Sequence, residues 1–562
     1  MPKAGEIYRR RLCGWFRVER KAQVIILGIS TPGPNAAAAL FDNRGIVAAI
    51  EEEKLTRLND SHALPQLAVK QVLAAAKLNL TDVDSLAFAD RSAGARNRRK
   101  KDSARDAMLA HLRQLVAGRR FQSFEHHLCH AASAFYTSDF SRSLVLTLDH
   151  GFNGLCCSVS IGVDDDLRVL HTLTFPNSFG WFYSCVTQLV GLRPRRDEHK
   201  LQWLSKDGQP DYLETFRKLF AWNAKGLPAL DRRYFTSGAD GTGILAPRYL
   251  RELGFSRSGV PADRSVRAGL ARSAQAALEE YVLRLAENFR ERTGIDSLCL
   301  AGGVFQNVLV VRALEQRSSF RNVYVQPVAG NAGTALGAAF LARKKAAGRS
   351  GRAPLGALAL GPEPTSQEIK SVLDNCKIVY KYLNSEDELL SETSGQLGHG
   401  KIVGWCQGRT EFGHRALGNR SLLASPFNEY VLDNVNRFIK HREEFHPFAL
   451  SVPAERAHEF FDCGPNCRFM ASLGDLKNPM AGLERFTFNG RAVRVHTVER
   501  QAHPLFWKLL HKFGESAPAP ILVNTSFNLF GEPLVTDPRS AVRSFYCSGV
   551  DALAIGSFLV VK

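Results

Sequence analysis

One local pattern occurs twice, about 120 residues apart, and it constrains the fold more than any other feature of the chain. Residues 24–29 read as a buried strand, a Gly/Pro loop follows, and residues 35–41 read as a small-residue strand that turns at Gly45 into 46–50. Residues 144–148, the loop Asp149-His150-Gly151-Phe152-Asn153-Gly154 and residues 155–161 repeat the succession of strand, polar glycine loop and returning strand. Two such loops facing each other across a cleft are how a duplicated α/β fold cradles the phosphates of a nucleotide through backbone N–H groups. Two further glycine elements follow. Residues 298–301 form a buried strand that runs into the Gly302-Gly303 turn and a helix through Leu314, and Gly330-Asn331-Ala332-Gly333 opens a small-residue helix. Taken singly, each glycine is explained by tight packing; four in one half of a chain argue for a nucleotide cleft.

The chemistry of this half centres on Glu125-His126-His127-Leu128-Cys129-His130-Ala131. A helix over 125–136 puts His126 and His130 on one face, and a strand ending at Asp149 delivers a carboxylate to the same point. Two imidazoles and a carboxylate suit iron, manganese or zinc with positions left open for substrate. The bland alternative is a histidine pair that fills space or caps carbonyls. His127, rotated about 100° from His126, points elsewhere, to a surrounding or substrate contact.

The chain has 562 residues, 45% of them hydrophobic, enough for two to four domains. No apolar run reaches membrane-spanning length. Residues 1–22 are basic, with Arg9, Arg10, Arg11, Arg17 and Arg20, and lack an apolar core and cleavage site, so a cytoplasmic protein is expected. An odd count of 11 cysteines fits reduced thiols, and Cys463 and Cys467 have too few partners for a structural zinc site. The net charge of +18 favours anionic ligands. Its densest run, residues 96–101, lies between a strand at 85–88 and a helix at 104–115 and has no interleaved aromatics, which weakens the case for single-stranded nucleic acid.

A composition break at 343–352 reads as a linker to a separate α/β unit. The chemistry of that unit lies in residues 408–421, in 436–447 with Lys440, His441, Arg442 and His446, in 491–497 and in 522–528. Arginines and lysines among glycines and hydroxyls suit recognition of phosphate or carboxylate, because the guanidinium fork grips oxyanions bidentately. The interleaved apolar residues argue against a purely solvated charged face.

The motif order after Ala22 resembles the NodU/CmcH-type O-carbamoyltransferases. The strongest parts are His126-His127-Leu128-Cys129-His130-Ala131-Ala132-Ser133-Ala134-Phe135-Tyr136, Glu411-Phe412-Gly413-His414-Arg415-Ala416-Leu417-Gly418-Asn419-Arg420-Ser421, Ile439-Lys440-His441-Arg442-Glu443 and Val523-Asn524-Thr525-Ser526-Phe527-Asn528. The resemblance implies a duplicated actin/sugar-kinase-like (ASKHA) domain at 23–342, like that of the tRNA threonylcarbamoyl transferase. A linker at 343–357 and a YrdC-like α/β domain at 358–562 follow, with 1–22 as a basic extension. In such enzymes Arg415, Lys440, Arg494 and Ser526 would grip carbamoyl phosphate and ATP to give carbamoyl adenylate. Gly302, Gly303, Asn307, Gly330 and Gly333 would hold the nucleotide. His126, His130 and Asp149, with Asn331 as a weak fourth ligand, would hold a divalent metal, iron first and manganese or zinc as alternatives, while an acceptor hydroxyl attacks.

The departures from the family pattern fall mainly on the first domain. A His-Asp pair, the histidine being the expected base, is replaced by Pro34 and Asn35, and an aspartate ligand by Asn331. His446 stands for an arginine, His496 for a glutamine, and residues 200–205 for a Lys-Met-Gly-Leu-Ala loop beside the acceptor. Three readings follow: an active carbamoyltransferase, a nucleotide-binding partner that has lost the chemistry, or a nucleic-acid-directed protein, which would need a basic face joining 96–101 with 343–352. A membrane partner is not expected, and a homodimer is left open.

Overall fold

The computed structural model describes residues 24–562 except 31–32, 60–63, 91–109, 111–113, 115–119, 152–153, 238–242, 256–260, 478–479, 481 and 530. The basic extension, the run at 96–101, most of the helix expected at 104–115 and the tip Phe152-Asn153 lie outside the described residues.

The duplication expected from the glycine loops is present in the topology. Strands β1 (Ile26–Ile29), β2 (Ala37–Asp42) and β3 (Gly45–Glu51) form an antiparallel meander, and β4 (Ser85–Asp90) and β5 (Arg120–Glu125) extend it in parallel, giving the order β3-β2-β1-β4-β5. The second sheet repeats that order. Strands β6 (Arg142–Leu148), β7 (Leu155–Val163) and β8 (Asp166–Thr174) form the meander, and Ser297–Ala301 and Asn322–Val325 extend it in parallel from β6.

Helices His126–Phe135 and Thr334–Ala347 pack between the halves on small side chains, among them Ala131, Ala132, Ala335 and Ala339. A Cβ on Gly28 would lie 2.1 Å from the Ala335 carbonyl oxygen, and one on Gly337 1.8 Å from that of Cys129. These two glycines bring Thr334–Ala347 against β1 on one side and the histidine helix on the other.

The segment expected as a linker is ordered and starts later. Helix Thr334–Ala347 runs five residues past the expected boundary at 342. Beyond it the chain is strapped to the first half: Ala353 N–H donates to Tyr136 O at 2.9 Å, Leu355 N–H to Thr137 O at 3.1 Å, and the Arg352 guanidinium to Ser138 O at 3.0 Å and Phe140 O at 2.5 Å.

The second half is one mixed ten-stranded sheet. At its centre Val403–Cys406, Arg420–Ala424, Leu522–Ser526 and Ala449–Pro453 run antiparallel in that order, flanked by parallel partners Ala552–Ile555 and Ala492–Val498. It is not a separate unit in its packing. Phe412, Leu417, Ala449, Phe469 and Met470 share a core with Ala37, Ala132 and Phe340, so apolar surface is buried continuously across the boundary. Among the described residues no helix is long and apolar enough to cross a membrane.

Candidate active sites

Glu125 ends β5 and caps the next helix, its carboxylate accepting from the backbone N–H of His127 at 2.9 Å and of Leu128 at 2.8 Å. The helix therefore starts at His126, and the four-residue spacing stacks His126 and His130. His126 Nε2 lies 3.1 Å from Asp149 Oδ2, and His130 Nε2 lies 3.1 Å from His126 Nε2 and 3.7 Å from Asp149 Oδ2. Metal–ligand bonds of about 2.1 Å would set donor atoms about 3.0–3.4 Å apart at octahedral or tetrahedral angles, so this donor set fits a divalent ion. The other Asp149 oxygen accepts from His150 N–H at 2.8 Å, and Gly303, where a Cβ would lie 3.2 Å from it, leaves it room.

His127 points away, as its rotation predicts. Its Nδ1 lies 2.7 Å from Thr147 Oγ1 and its Nε2 3.0 Å from Leu155 O, so it ties the helix to β6 and β7.

The departures at 34, 35 and 331 form one local structure. Ala36 N–H donates to Gly33 O at 3.1 Å, with Pro34 and Asn35 at the centre of the turn and Asn35 at φ 59°. Proline followed by a positive-φ asparagine is the chemistry of a type II turn. Asn331 Nδ2 donates to the Pro34 carbonyl at 3.0 Å, so its amide nitrogen is engaged by the turn.

Gly303 abuts the cluster of His126, His130 and Asp149, and close packing explains the composition of the glycine turns. Gly302, at φ 100°, would place a Cβ 2.1 Å from Leu148 O, and Gly333 one 2.1 Å from Val328 O. Gly330 would meet Gln306 Nε2 at 2.5 Å. Gly302 N–H donates to Ala329 O at 2.8 Å, which sets the two turns side by side. Asn307 has a different task from the nucleotide contact expected of it. Its Oδ1 caps Val308–Arg317 by accepting from Leu309 and Val310 N–H, and its Nδ2 donates to Gln275 at 2.8 Å.

In the second half the structure gathers Arg415, Lys440, Arg494 and Ser526, and adds His414 and Arg442. Lys440 Nζ donates to Ser526 O, to Asn528 O at 3.0 Å and to Asn528 Oδ1 at 2.5 Å. Ser526 Oγ donates to the same Asn528 Oδ1 at 2.8 Å. Burial, with the Arg442 charge, pushes the Lys440 ammonium well below its ordinary range. Burial also brings the Arg415 and Arg442 guanidinium groups down to about 10. Arg494 is pushed well down by burial and then by the Arg415 and Arg442 charges, and its Cζ lies over Trp203, 4.7 Å from the ring centre.

His414 opens into this cleft. Desolvation in the cleft, then the charges of Arg415, Arg494 and Lys54, lower its imidazole well below the ordinary value. Glu443 is the carboxylate beside the cluster; His446 and then Lys200 hold it well below the usual carboxylate range. Lys200 reaches it at 2.8 Å, and His199 stands 5.7 Å from His446 between ring centres. Helix Glu198–Leu204, which replaces the expected acceptor-side loop, thus closes over the arginine cluster.

His496 belongs to the core: its Nδ1 meets Ser451 Oγ at 3.0 Å and its ring stacks on Phe506. The basic stretch at 343–352 is engaged within the protein. Arg343 donates to Asn43 O at 2.6 Å and Lys344 to Asp165 O at 2.7 Å, which removes part of the basic face that a nucleic-acid reading requires.

The family model described as Carbamoyltransferase N-terminus matches residues 25–118 and 106–340, and that described as Carbamoyltransferase C-terminus matches residues 394–562. The uncharacterized protein sll1178 of Synechocystis sp. (strain PCC 6803) is 31% identical over 96% of this chain and 96% of its own. The nodulation protein NolNO of Sinorhizobium fredii is 32% identical over 94% of this chain and 79% of its own. Among solved structures, the ROK hexokinase of Thermus thermophilus covers 56% of this chain and 97% of its own, at 15% identity and a TM-score of 0.29. With both models matched, in order and over most of its length, the chain belongs to the carbamoyltransferase family.

Proposed function

We propose that the chain makes carbamoyl adenylate in its second half and transfers the carbamoyl group to a hydroxyl acceptor in its first half, in the cytoplasm. The actin/sugar-kinase-type transferase domain, expected over 23–342, would run to the end of helix Thr334–Ala347, and a YrdC-like activating domain would take 358–562. One observation carries the reading: Arg415, Arg442 and Arg494 crowd one enclosed cleft, two of them depressing the third's pKa, with Glu443 beside them already paired to Lys200 and His446. Such a cleft gains most from a bound polyanion.

Activation takes two steps, and in the transfer that follows the acceptor oxygen bonds the carbamoyl carbon, the bond to the adenylate oxygen breaks, AMP leaves and the hydroxyl proton goes to solvent. Water cleaves carbamoyl phosphate to carbamate and phosphate; a carbamate oxygen then attacks the α-phosphorus of ATP and expels pyrophosphate. Arg415, Arg442 and Arg494 neutralise the phosphoryl oxygens, and Lys440 orders the Ser526–Asn528 turn beside them. Confinement protects the mixed anhydride from water. A divalent metal held by His126, His130 and Asp149 would supply Lewis-acid polarisation of the carbamoyl carbonyl. Gly302, Gly303, Gly330 and Gly333 line the turns next to that site and leave backbone within reach of a nucleotide.

The test is pyrophosphate release from carbamoyl phosphate and ATP with a ferrous or manganese salt, which needs no knowledge of the acceptor. Release supports the reading; its absence favours a nucleotide-binding partner. That second reading draws on the Pro34-Asn35 turn, which holds no imidazole where the family's base is expected.

A further inference from the structure

The arginine cleft is not built by the second half alone. Helix Glu52–Thr56 follows β3 in the first half and reaches both loops that carry the anion-binding groups. Lys54 is 2% exposed. Its Nζ pairs with Glu51 at 2.9 Å and donates to the carbonyls of Glu411 and Gly413, each at 2.6 Å, so one carboxylate and two loop carbonyls hold the ammonium. Glu51 Oε1 accepts from Gly413 N–H at 2.6 Å. Gly413, at φ 103°, is thus held by both its N–H and its carbonyl immediately before His414 and Arg415. Glu411 in turn closes the loop, its Oε1 accepting from the N–H of Leu417, Asn419 and Arg420 at 2.8, 2.9 and 3.1 Å.

The same short helix holds the second loop. Thr536 Oγ1 donates to Lys54 O at 2.8 Å, and Arg57 pairs with Glu532 at 2.9 Å while donating to Leu534 O at 2.5 Å. Glu532 O accepts from Asn528 Nδ2 at 2.6 Å, and Asn528 is the residue that receives Lys440.

We infer that Lys54, together with Glu51, is a positioning residue for the reaction proposed above: it sets the 411–420 loop, so that the phosphate-binding cleft of the second half is completed only on the surface of the first. The inference rests on that reading for the identity of the substrate but not for the anion site itself. Removing Lys54 leaves two carbonyls without a donor and lets Gly413 pivot, displacing Arg415 without touching it.

Lys54→Met keeps the volume of the side chain but strands the Glu51 carboxylate in the core. The decisive variant is therefore Glu51→Gln/Lys54→Met, in which both charges go and the glutamine oxygen still accepts from Gly413. Three quantities are measured on the full chain: inorganic phosphate binding by calorimetry, KM and kcat for carbamoyl phosphate in pyrophosphate release, and thermal melting. The expected result is cooperative melting close to wild type, with phosphate affinity at least tenfold weaker and KM raised by a similar factor, while kcat changes less. A folded double variant with wild-type phosphate affinity and KM overturns the inference. If the double variant does not melt cooperatively, Glu51→Ala alone decides, because it leaves Gly413 N–H without its acceptor and Lys54 without its carboxylate: weaker phosphate binding supports the role, and unchanged binding overturns it. Wild type that binds phosphate but releases no pyrophosphate overturns the adenylate reading only, and the phosphate arm still decides for Lys54. Wild type that binds no phosphate overturns both.

Discussion

Asn331 donates its amide hydrogen to the Pro34 carbonyl across 3.0 Å, so two positions that the sequence resemblance marks as departures are in direct contact. A carboxylate at 331 would face that carbonyl without a proton to share. Asn331→Asp should therefore cost about 1 kcal/mol of stability in metal-free protein through the lost hydrogen bond. With 331 as the fourth ligand that the resemblance implies, the added charge should also tighten a divalent ion about tenfold or more. Melting of the metal-free protein and manganese titration under reducing conditions read the two effects separately. If neither wild type nor variant binds a divalent ion, the first half is not a metal centre.

Arg415→Ala should weaken phosphate and carbamoyl phosphate binding by on the order of 1.5–3 kcal/mol, about 10- to 100-fold, with pyrophosphate release falling at least as far. Metal titration of the first half should not change. Wild-type pyrophosphate release from Arg415→Ala would remove that arginine from the site.

Gly337→Ala should loosen the metal without altering a ligand. The new Cβ would start 1.8 Å from the Cys129 carbonyl oxygen, a backbone atom of the helix that carries His126 and His130, so the two helices must separate. Overpacking of this kind costs about 1–3 kcal/mol, and the shift should weaken manganese binding. Gly395→Ala is the contrast: nothing lies within 4 Å of its Cβ position, and a helical glycine replaced by alanine gains up to ~1 kcal/mol. Equal melting temperatures for the two variants would refute the close approach.

Acidification should destabilise the fold in part through His496. Burial, then the His503 charge, hold its imidazole well below the ordinary value, so the folded state keeps it neutral. The unfolded chain takes up the proton near pH 6.5. The contribution of His496 is therefore fully present above that pH and is lost as pH falls from it toward the depressed folded value, with a slope on the order of 1.4 kcal/mol per pH unit. His496→Gln, whose amide is also able to bond Ser451, should flatten the decline. Denaturant midpoints at three pH values between neutral and mildly acidic would show this, and parallel declines in wild type and variant would contradict it.

What the sequence disclosed was what leaves a local mark. The four-residue histidine spacing, the carboxylate at the end of β6 and the strand–glycine–strand repeat each follow from a short stretch of chain. The return strand β8 went unread because its faces are largely solvated and its apolar residues do not alternate. Asn307 carried a legible cap signal, an amide just before an apolar helical run, and a glycine-centred reading passed over it. Arg442 and His414 stood inside recognised segments, but their place in the cleft depends on helix Glu198–Leu204, more than 200 residues earlier in the chain. Lys54 gave no signal at all: a lysine after three glutamates reads as a solvated face, and its ammonium is engaged by a loop from the other half of the chain.

The strap after Ala347 has a consequence for how such a protein is made and recombined. Because Arg352 holds the carbonyls of Ser138 and Phe140, and Ala353 and Leu355 hold those of Tyr136 and Thr137, the exit from the histidine helix is finished by residues synthesised more than 200 positions later. A ribosome-bound chain ending at the apparent domain boundary would lack that clasp. A chimera joining the halves of two relatives at residue 342 would carry it from the wrong parent, so a crossover placed after Leu355 should express as better-folded protein.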